Sequence, residues 1–401
     1  MVTRCVLLLS VYGCLAAAQD TVPPAAPAIP PPPPDIPALM RSGDAKYLKG
    51  DYDGARQDFL DAWNLAQAAP PEDPARYDVL KKLTSVRAAA GEFEDANNYL
   101  QMAIQWREST LGKDDPKIAD DLLESVTLLR GLKDYGHALT VMSQVMAMHM
   151  KESKFLSVVV ADDFSRFAQI QMEYQKPEDA TGSLQTALSI RTQMGGPLDP
   201  SLVYDLDRLG TVYIALRQYD KAEEAYRHAL VIRESLYGKD NADLISTVDG
   251  LAYACFGQKK YDEAEPIYQR LVALWIKSVG PEHPVVAMTL DKVATFYAEQ
   301  KKFDQAKEAS ERANAIRTHF LATGLTEEAT EQLAEGNKSD ALALYQRALK
   351  VMDPPNPAYD ELRSDTQNIV KSFAPAAVKL QKKTSAAGRG ASSQPAPPKK
   401  P

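Results

Sequence analysis

Cysteine is nearly missing from this sequence: there are three in 401 residues, Cys5, Cys14 and Cys255. The first two fall in an apolar opening stretch, so the body of the chain holds one. A single thiol excludes an internal disulfide framework. Cys255 stands at an apolar helical position and reads as a buried structural thiol rather than a nucleophile. Histidine is scarce too. His137, His149, His228, His283 and His319 are scattered, with no two at the helical spacing of a metal site. No glycine-rich loop follows a strand pattern, so the phosphate-cradling nucleotide folds have no foothold. No cofactor and no metal is expected. Carboxylates are plentiful, 54 Asp and Glu against 46 Lys and Arg for a formal net charge of −8. Acidic surface helices supply them without any catalytic purpose, so the chain is expected not to be an enzyme. No nucleic-acid partner is expected either.

Long apolar runs are also absent, apart from one at the start. Met1–Ala18 carries Arg4, an apolar run from Cys5 to Leu15, and small residues at Ala16 and Ala18. That is the pattern of a secretory signal peptide, and the run is too short to span a bilayer. A lipid-attached form through Cys14 is the alternative, with Val11 and Tyr12 poor company for an attachment site. The mature chain is expected to have no transmembrane segment. Residues 19–38 form a proline-rich linker, with Thr21–Pro37 (TVPPAAPAIPPPPPDIP) its core. Proline fixes φ and removes a donor, so this stretch reads as extended polyproline II, either a stiff spacer or a ligand for an aromatic groove.

What is abundant is repetition. LGTVYIALRQYDKAEEAYRHAL (Leu209–Leu230) is followed 42 residues later by LAYACFGQKKYDEAEPIYQRLV, and 42 further on by VATFYAEQKKFDQAKEASERAN. Tyr219, Tyr261 and Phe303 open the second half of each copy, and Ala222, Ala264 and Ala306 follow three residues later. Each copy reads as two helices. Val203, Leu206, Leu209, Tyr213 and Leu216 trace one apolar helical face, and Tyr219, Ala222, Tyr226, Ala229 and Ile232 trace another. Alanine at the crossing lets two backbones approach closely. Gly196, Gly238 and Gly280 are placed to end helices in the left-handed conformation, and Pro200 and Pro284 to open the next ones. A fixed period of this size marks a solenoid whose units bury their apolar faces only by stacking.

This pattern resembles the tetratricopeptide repeat (TPR), and its 42-residue period resembles the kinesin-light-chain subtype, whose connecting turn LYGKDNAD (Leu236–Asp243) and SVGPEHPVVA (Ser278–Ala287) look like. The resemblance implies an all-α fold, a TPR-type right-handed α-solenoid. Ala55, Ala96, Ala138, Ala180, Ala222, Ala264, Ala306 and Ala341 mark about eight helical pairs, with steps of 41, then 42 five times, then 35. The array is expected over 39–355, its last pair (Ala329–Val351) close to a shorter 34-residue form. The copies near Val126 and Lys176 are degenerate: Pro177 replaces the aromatic, and Lys154 stands where a linker glycine is expected. A C-terminal capping helix is expected within 356–383, since solenoid ends need a cap. Residues 384–401 (TSAAGRGASSQPAPPKKP) read as a disordered basic tail. From Thr366 onward there are seven basic residues and no acidic ones, and the signal removes Arg4, which leaves a body of about −16. The tail can touch that body, meet an anionic envelope surface weakly, or simply stay solvated.

The resemblance further implies that the first helix of each pair lines a concave groove that grips an extended peptide. The subtype has a Leu-Asn-Asn-Leu-Ala-like run there, whose asparagines bond the peptide backbone. Here the runs are LDRLG (Leu206–Gly210), VDGLA (Val248–Ala252) and LDKVA (Leu290–Ala294). Asp207, Asp249 and Asp291 replace the first asparagine, and Arg208, Gly250 and Lys292 the second; one step earlier stand Ser165 and Arg166. Asparagine donates and accepts, whereas ionised aspartate only accepts. The expectation is an acidic row beside a partly basic row, flanked by Thr211, Tyr253 and Thr295, suited to a ligand with donors or positive charge on one edge. Equally, the aspartates can pair with Arg208 and Lys292 and merely solubilise the face. The lysines and asparagines of a chaperone-type carboxylate clamp are missing. The function expected is an exported adaptor, periplasmic or secreted, that binds a protein or peptide partner. The alternatives are a structural envelope protein that self-assembles or attaches through its tail, and an accessory to a catalytic partner.

Overall fold

The computed structural model describes residues 35–153 and 155–373; the stretch read as a signal peptide, most of the proline-rich linker, Lys154, residues 374–383 and the stretch read as a basic tail lie outside the described residues. Sixteen α-helices and no strand occur among the described residues. The chain divides into two compact units between Glu92 and Phe93, inside the span read as one array.

The first unit holds α1 (Ile36–Leu48), α2 (Tyr52–Ala68) and α3 (Pro74–Ala89). Each begins on an aspartate: Asp35, Asp51 and Asp73 accept from the backbone N–H groups of Ala38, Gly54 and Ala75 at 2.8–2.9 Å. Ala55, Phe59, Ala62 and Ala66 of α2 are buried, and Gly43 makes room for the Phe59 ring.

The second unit runs through α4 (Phe93–Leu111), α5 (Lys117–Gly131), α6 (Tyr135–Ser153), α7 (Val158–Glu173), α8 (Pro177–Gly195), α9 (Leu202–Ala215) and α10 (Tyr219–Tyr237). A 3-10 turn, Ala242–Leu244, leads into α11 (Ile245–Gly257). Then follow α12 (Tyr261–Val279), α13 (Pro284–Glu299), α14 (Phe303–Ala334), α15 (Lys338–Val351) and α16 (Asp360–Ser372). The degenerate copies around Val126 and Lys176 form regular pairs, with Pro177 at the first position of α8, where no N–H partner is needed. Pro284 opens α13 in the same way. Pro200 instead stands two residues before α9.

Two kinds of turn set the register. Between pairs, Gly196, Gly238 and Gly280 have φ of 85°, 80° and 90° with ψ of 177°, 168° and 160°. Their φ is positive as expected, but ψ is extended rather than left-handed helical, a region essentially closed to every other residue. Within pairs, the helix stop falls on Lys133, Gln175, Arg217, Lys259 and Lys301, five non-glycine residues 42 apart with φ of 57–61°. At one of them Arg217 N–H donates to Ile214 O (2.9 Å) and Gln218 N–H to Tyr213 O (2.8 Å), which closes a Schellman turn.

Ala96, Ala138, Ala180, Ala222, Ala264 and Ala341 are fully buried, and Ala306 is half-buried. The cause is α14, whose 32 residues fuse the second helix of one pair with the first of the next. No glycine-proline linker interrupts it, and Gly324 stays helical. A helix that continues cannot fold back on itself, so the N-terminal half of α14 lacks a following helix and leaves Phe303 68% exposed. At the far end α16 packs Ile369, Val370 and Phe373 against Ala329, Ala341 and Tyr345. It ends at Ser372, with Phe373 as its C-cap, and the rest of the expected capping stretch, 374–383, lies outside the described residues.

Candidate functional site

The helices expected to line a groove are α9, α11 and α13, and their three aspartates differ in kind. Asp207 sits within 2.8 Å of Arg233 on α10 and accepts from the Thr247 hydroxyl at 2.8 Å. Burial pushes its carboxyl above the usual range, against the pull of Arg233 and Thr247. Asp291 pairs with Arg317 of α14. Asp249 has no such neighbour, because the residue in register between Arg233 and Arg317 is Trp275. It pairs across to Lys292 of α13, 2.6 and 2.8 Å from its two oxygens, and both partners are substantially exposed. The expected rows are therefore neutralised rung by rung. Asp207 is tied into the scaffold, while Asp249 faces solvent.

The other sequence-derived residues divide similarly. Arg208 lies 4.5 Å from the Tyr204 ring centre and donates to the Ser165 carbonyl at 2.9 Å, so it bridges helices rather than pairing with Asp207. Ser165 is buried and Arg166 exposed. The Thr211 and Thr295 hydroxyls donate to the carbonyls of Asp207 and Asp291, one turn back, at 3.0 Å. Thr211 also meets the Tyr226 hydroxyl at 3.0 Å. Tyr253 is about half exposed, edge-on to Tyr219 and Phe256.

Two cavities flank α11 and share Ser246 and Asp249. The larger, about 930 Å³, is walled by Tyr204, Tyr237, Trp275 and Leu236. The smaller, about 450 Å³, is walled by Tyr226, Tyr253, Phe256 and Tyr268, with Thr211, Lys292 and Thr295 at its rim. Asp249, Tyr253, Thr211, Lys292 and Thr295 thus come together around the smaller cavity, whereas Asp207, Asp291 and Arg166 line neither. Gly250 is what opens this space, since a Cβ there or at Gly210 would run into the Tyr226 ring. Burial raises the phenols of Tyr226 and Tyr268, so both remain neutral donors. Sequence reading assigned Tyr226 to the core and overlooked Tyr268. The signal was the glycine facing them at position 250.

Behind this face runs a ladder that sequence reading missed. Arg107, His149, Arg191 and Arg233 recur every 42 residues near the ends of second helices. Fourteen residues later, inside the next helix, stands a buried partner. Asp121 lies 2.8 Å from Arg107, Asp163 2.7 Å from His149, and Asp205 2.9 Å from Arg191; Thr247 is bonded by Arg233. Burial raises the carboxyls of Asp163 and Asp205 even with these bases alongside. Cys255 is buried, its thiol pushed up to about 11 by burial and by Glu223. Among the described residues no group of three His, Cys, Asp or Glu could hold a metal ion, and no helix is long and apolar enough to cross a membrane.

A family model of the tetratricopeptide repeat matches residues 243–319, and a second model of that repeat matches 206–243, so the two together contain α11, α13 and α9 from Leu206 onward. Among solved structures, BtubC from P. vanneervenii is 20% identical over 61% of this chain and 93% of its own, with a TM-score of 0.46. Nearly identical TPR-like repeats of a Podosopora anserina kinesin light chain are 19% identical over 50% of this chain and 96% of theirs, TM-score 0.46. The C-terminal part of a TPR repeat-containing protein from Cytophaga hutchinsonii is 13% identical over 80% of this chain and 98% of its own, TM-score 0.46. No curated protein matches the chain.

Proposed function

We propose that this chain, whose residues 206–319 match tetratricopeptide-repeat models, is a non-enzymatic scaffold holding a protein or peptide segment in the groove over α9, α11 and α13. The observation that carries this reading is the pair of aromatic-walled cavities joined at Ser246 and Asp249. An extended segment laid across α11 would place a bulky side chain in each cavity and a donor at Asp249 between them. The Asp249–Lys292 pair is exposed and contributes at most about 1 kcal/mol, so a ligand donor can replace the lysine at little cost. Asp207 is unsuited to testing this, since its loss would strand Arg233.

The test is peptide display against the full chain, followed by affinity measurement with Asp249→Arg and Tyr253→Ala. Both variants should lose at least tenfold in affinity with Tm unchanged. Undiminished affinity in both would remove the ligand from this groove. The opening stretch Met1–Ala18 supports export to a periplasm or to the outside of the cell, and sequencing the N-terminus of the cellular protein checks it. A chain beginning near Gln19 fits; one beginning at Met1 does not.

A second reading, self-assembly, is favoured by one feature. Phe155, Leu156, Val158 and Val159, on the connection into α7 and its first turn, are each about half exposed, four apolar side chains within five residues. Concentration-dependent sedimentation that Leu156→Ser abolishes would support it, and a monomer at all concentrations would end it.

A further inference from the structure

The last pair carries its own cavity, about 510 Å³, between the C-terminal half of α14 and α16. It occupies the same place in the repeat as the smaller cavity beside α11. Thr330 meets the Tyr345 hydroxyl at 2.9 Å as Thr211 meets Tyr226, and α16 stands where the next first helix would be. Its floor is apolar: Ala334, Tyr345, Leu362 and Ile369. Its rim differs from the earlier cavity in charge. Where Lys292 neutralises Asp249, the residue in register is Glu327, and Glu331 and Asp365 join it. None of these three carboxylates makes an ion pair or side-chain hydrogen bond among the described residues, although Asp207, Asp249 and Asp291 each hold a base.

The chain that leaves α16 has the complementary make-up. Residues 374–383, APAAVKLQKK, contain Lys379, Lys382 and Lys383, apolar Val378 and Leu380, and no acid. Pro375 follows the C-cap Phe373 by two residues in sequence, a place where proline is common because it cannot continue a helix. Ten residues reach roughly 33 Å when extended. The thirteen of α16 span only about 20 Å. The segment is therefore long enough to return along the whole of α16. We propose that residues 376–383 fold back into this cavity, with Val378 and Leu380 on the apolar floor and the three lysines against Glu327, Glu331 and Asp365. The chain would thereby occupy the final groove position of its own array and close it to outside ligands. This does not depend on what binds beside α11.

Carbodiimide coupling, which joins an amine to a carboxylate only in contact, tests it on the full chain, mixed from 14N- and 15N-labelled preparations. Lys379, Lys382 or Lys383 should couple to Glu327, Glu331 or Asp365 within a single chain, at least tenfold above coupling to exposed Glu328, one residue along α14. Leu380→Asp should remove that preference while leaving every lysine and every described helix unchanged. Glu327→Gln combined with Glu331→Gln should lower coupling at Asp365 as well, with helicity checked by circular dichroism. Coupling to Glu328 at the same level, or a preference indifferent to Leu380→Asp, overturns the proposal. Cross-links found only between 14N and 15N chains also overturn it and give the cavity to a second copy.

Discussion

Replacing Arg191 by leucine isolates one rung of the buried ladder. Arg191 is 9% exposed, bonds Asp205 at 2.9 Å, and reaches Asp162 at 2.5 Å. The Asp162 side chain is 44% exposed, so its share is small, about 1 kcal/mol or less. Asp205 is wholly buried, and without the guanidinium its carboxylate must sit uncompensated or take up a proton. Breaking a buried pair by removing one partner costs about 3–5 kcal/mol, whereas replacing both partners by apolar groups is often close to neutral. Arg191→Leu should therefore lose about 3–5 kcal/mol, and Arg191→Leu with Asp205→Leu should recover most of it. The assay is native-state hydrogen exchange with denaturant titration. Repeat arrays distribute stability among neighbours, so the amides of α7–α10 should lose protection while those of α13 and α15 hold theirs. A single variant costing under about 1 kcal/mol, or a double variant no better than the single, would refute the reasoning.

Other outcomes follow from the same packing. Burial alone would raise the Glu223 carboxyl, but hydrogen bonds from Lys260, Arg227 and Gln258 outweigh it and hold it down to about 2. A carboxyl lowered in the folded state contributes stability above its unfolded value of 4.5 that is lost as pH falls toward 2. Glu223→Gln should therefore cost about 3 kcal/mol at neutral pH and flatten the stability profile between those limits. Lys259 holds a φ of 61°, so Lys259→Gly should stabilise the chain by about 0.5–1 kcal/mol, read from the denaturation midpoint. Cys255 should resist thiol reagents at neutral pH in the folded chain and react at once in denaturant.

The period, the buried alanines, the linker glycines and the burial of Cys255 were all legible in the sequence, because each is a one-residue requirement repeated at a fixed step. The ladder was not, because Arg191 and Asp205 stand fourteen residues apart on different helices among many other charges. Only a search for bases followed at that step by acids would have found Arg107–Asp121 and its successors. The role of Asp207 was misjudged for a related reason. LDRLG invites a pairing with Arg208 next door, while the structure takes Asp207 to Arg233 and turns Arg208 onto Tyr204. The Schellman residues escaped notice because Lys133, Gln175, Arg217, Lys259 and Lys301 are not the residues that usually announce a left-handed stop. The fusion of α14 could be suspected only from what is missing at the linker step, since Ala322 stands 42 residues after Gly280 and Thr326 stands 42 after Pro284.

The unbroken α14 has a mechanical meaning. Its 32 residues make a rod of about 48 Å with no joint. Elsewhere in the second unit every change of direction passes through a short connection between two helices. A segment held in the proposed groove would meet separately jointed helices at α9, α11 and α13 and an unjointed one at α14. The proposed clamp would then have one jointed side and one fixed side. The length of segment it accepts is then gauged from the fixed end.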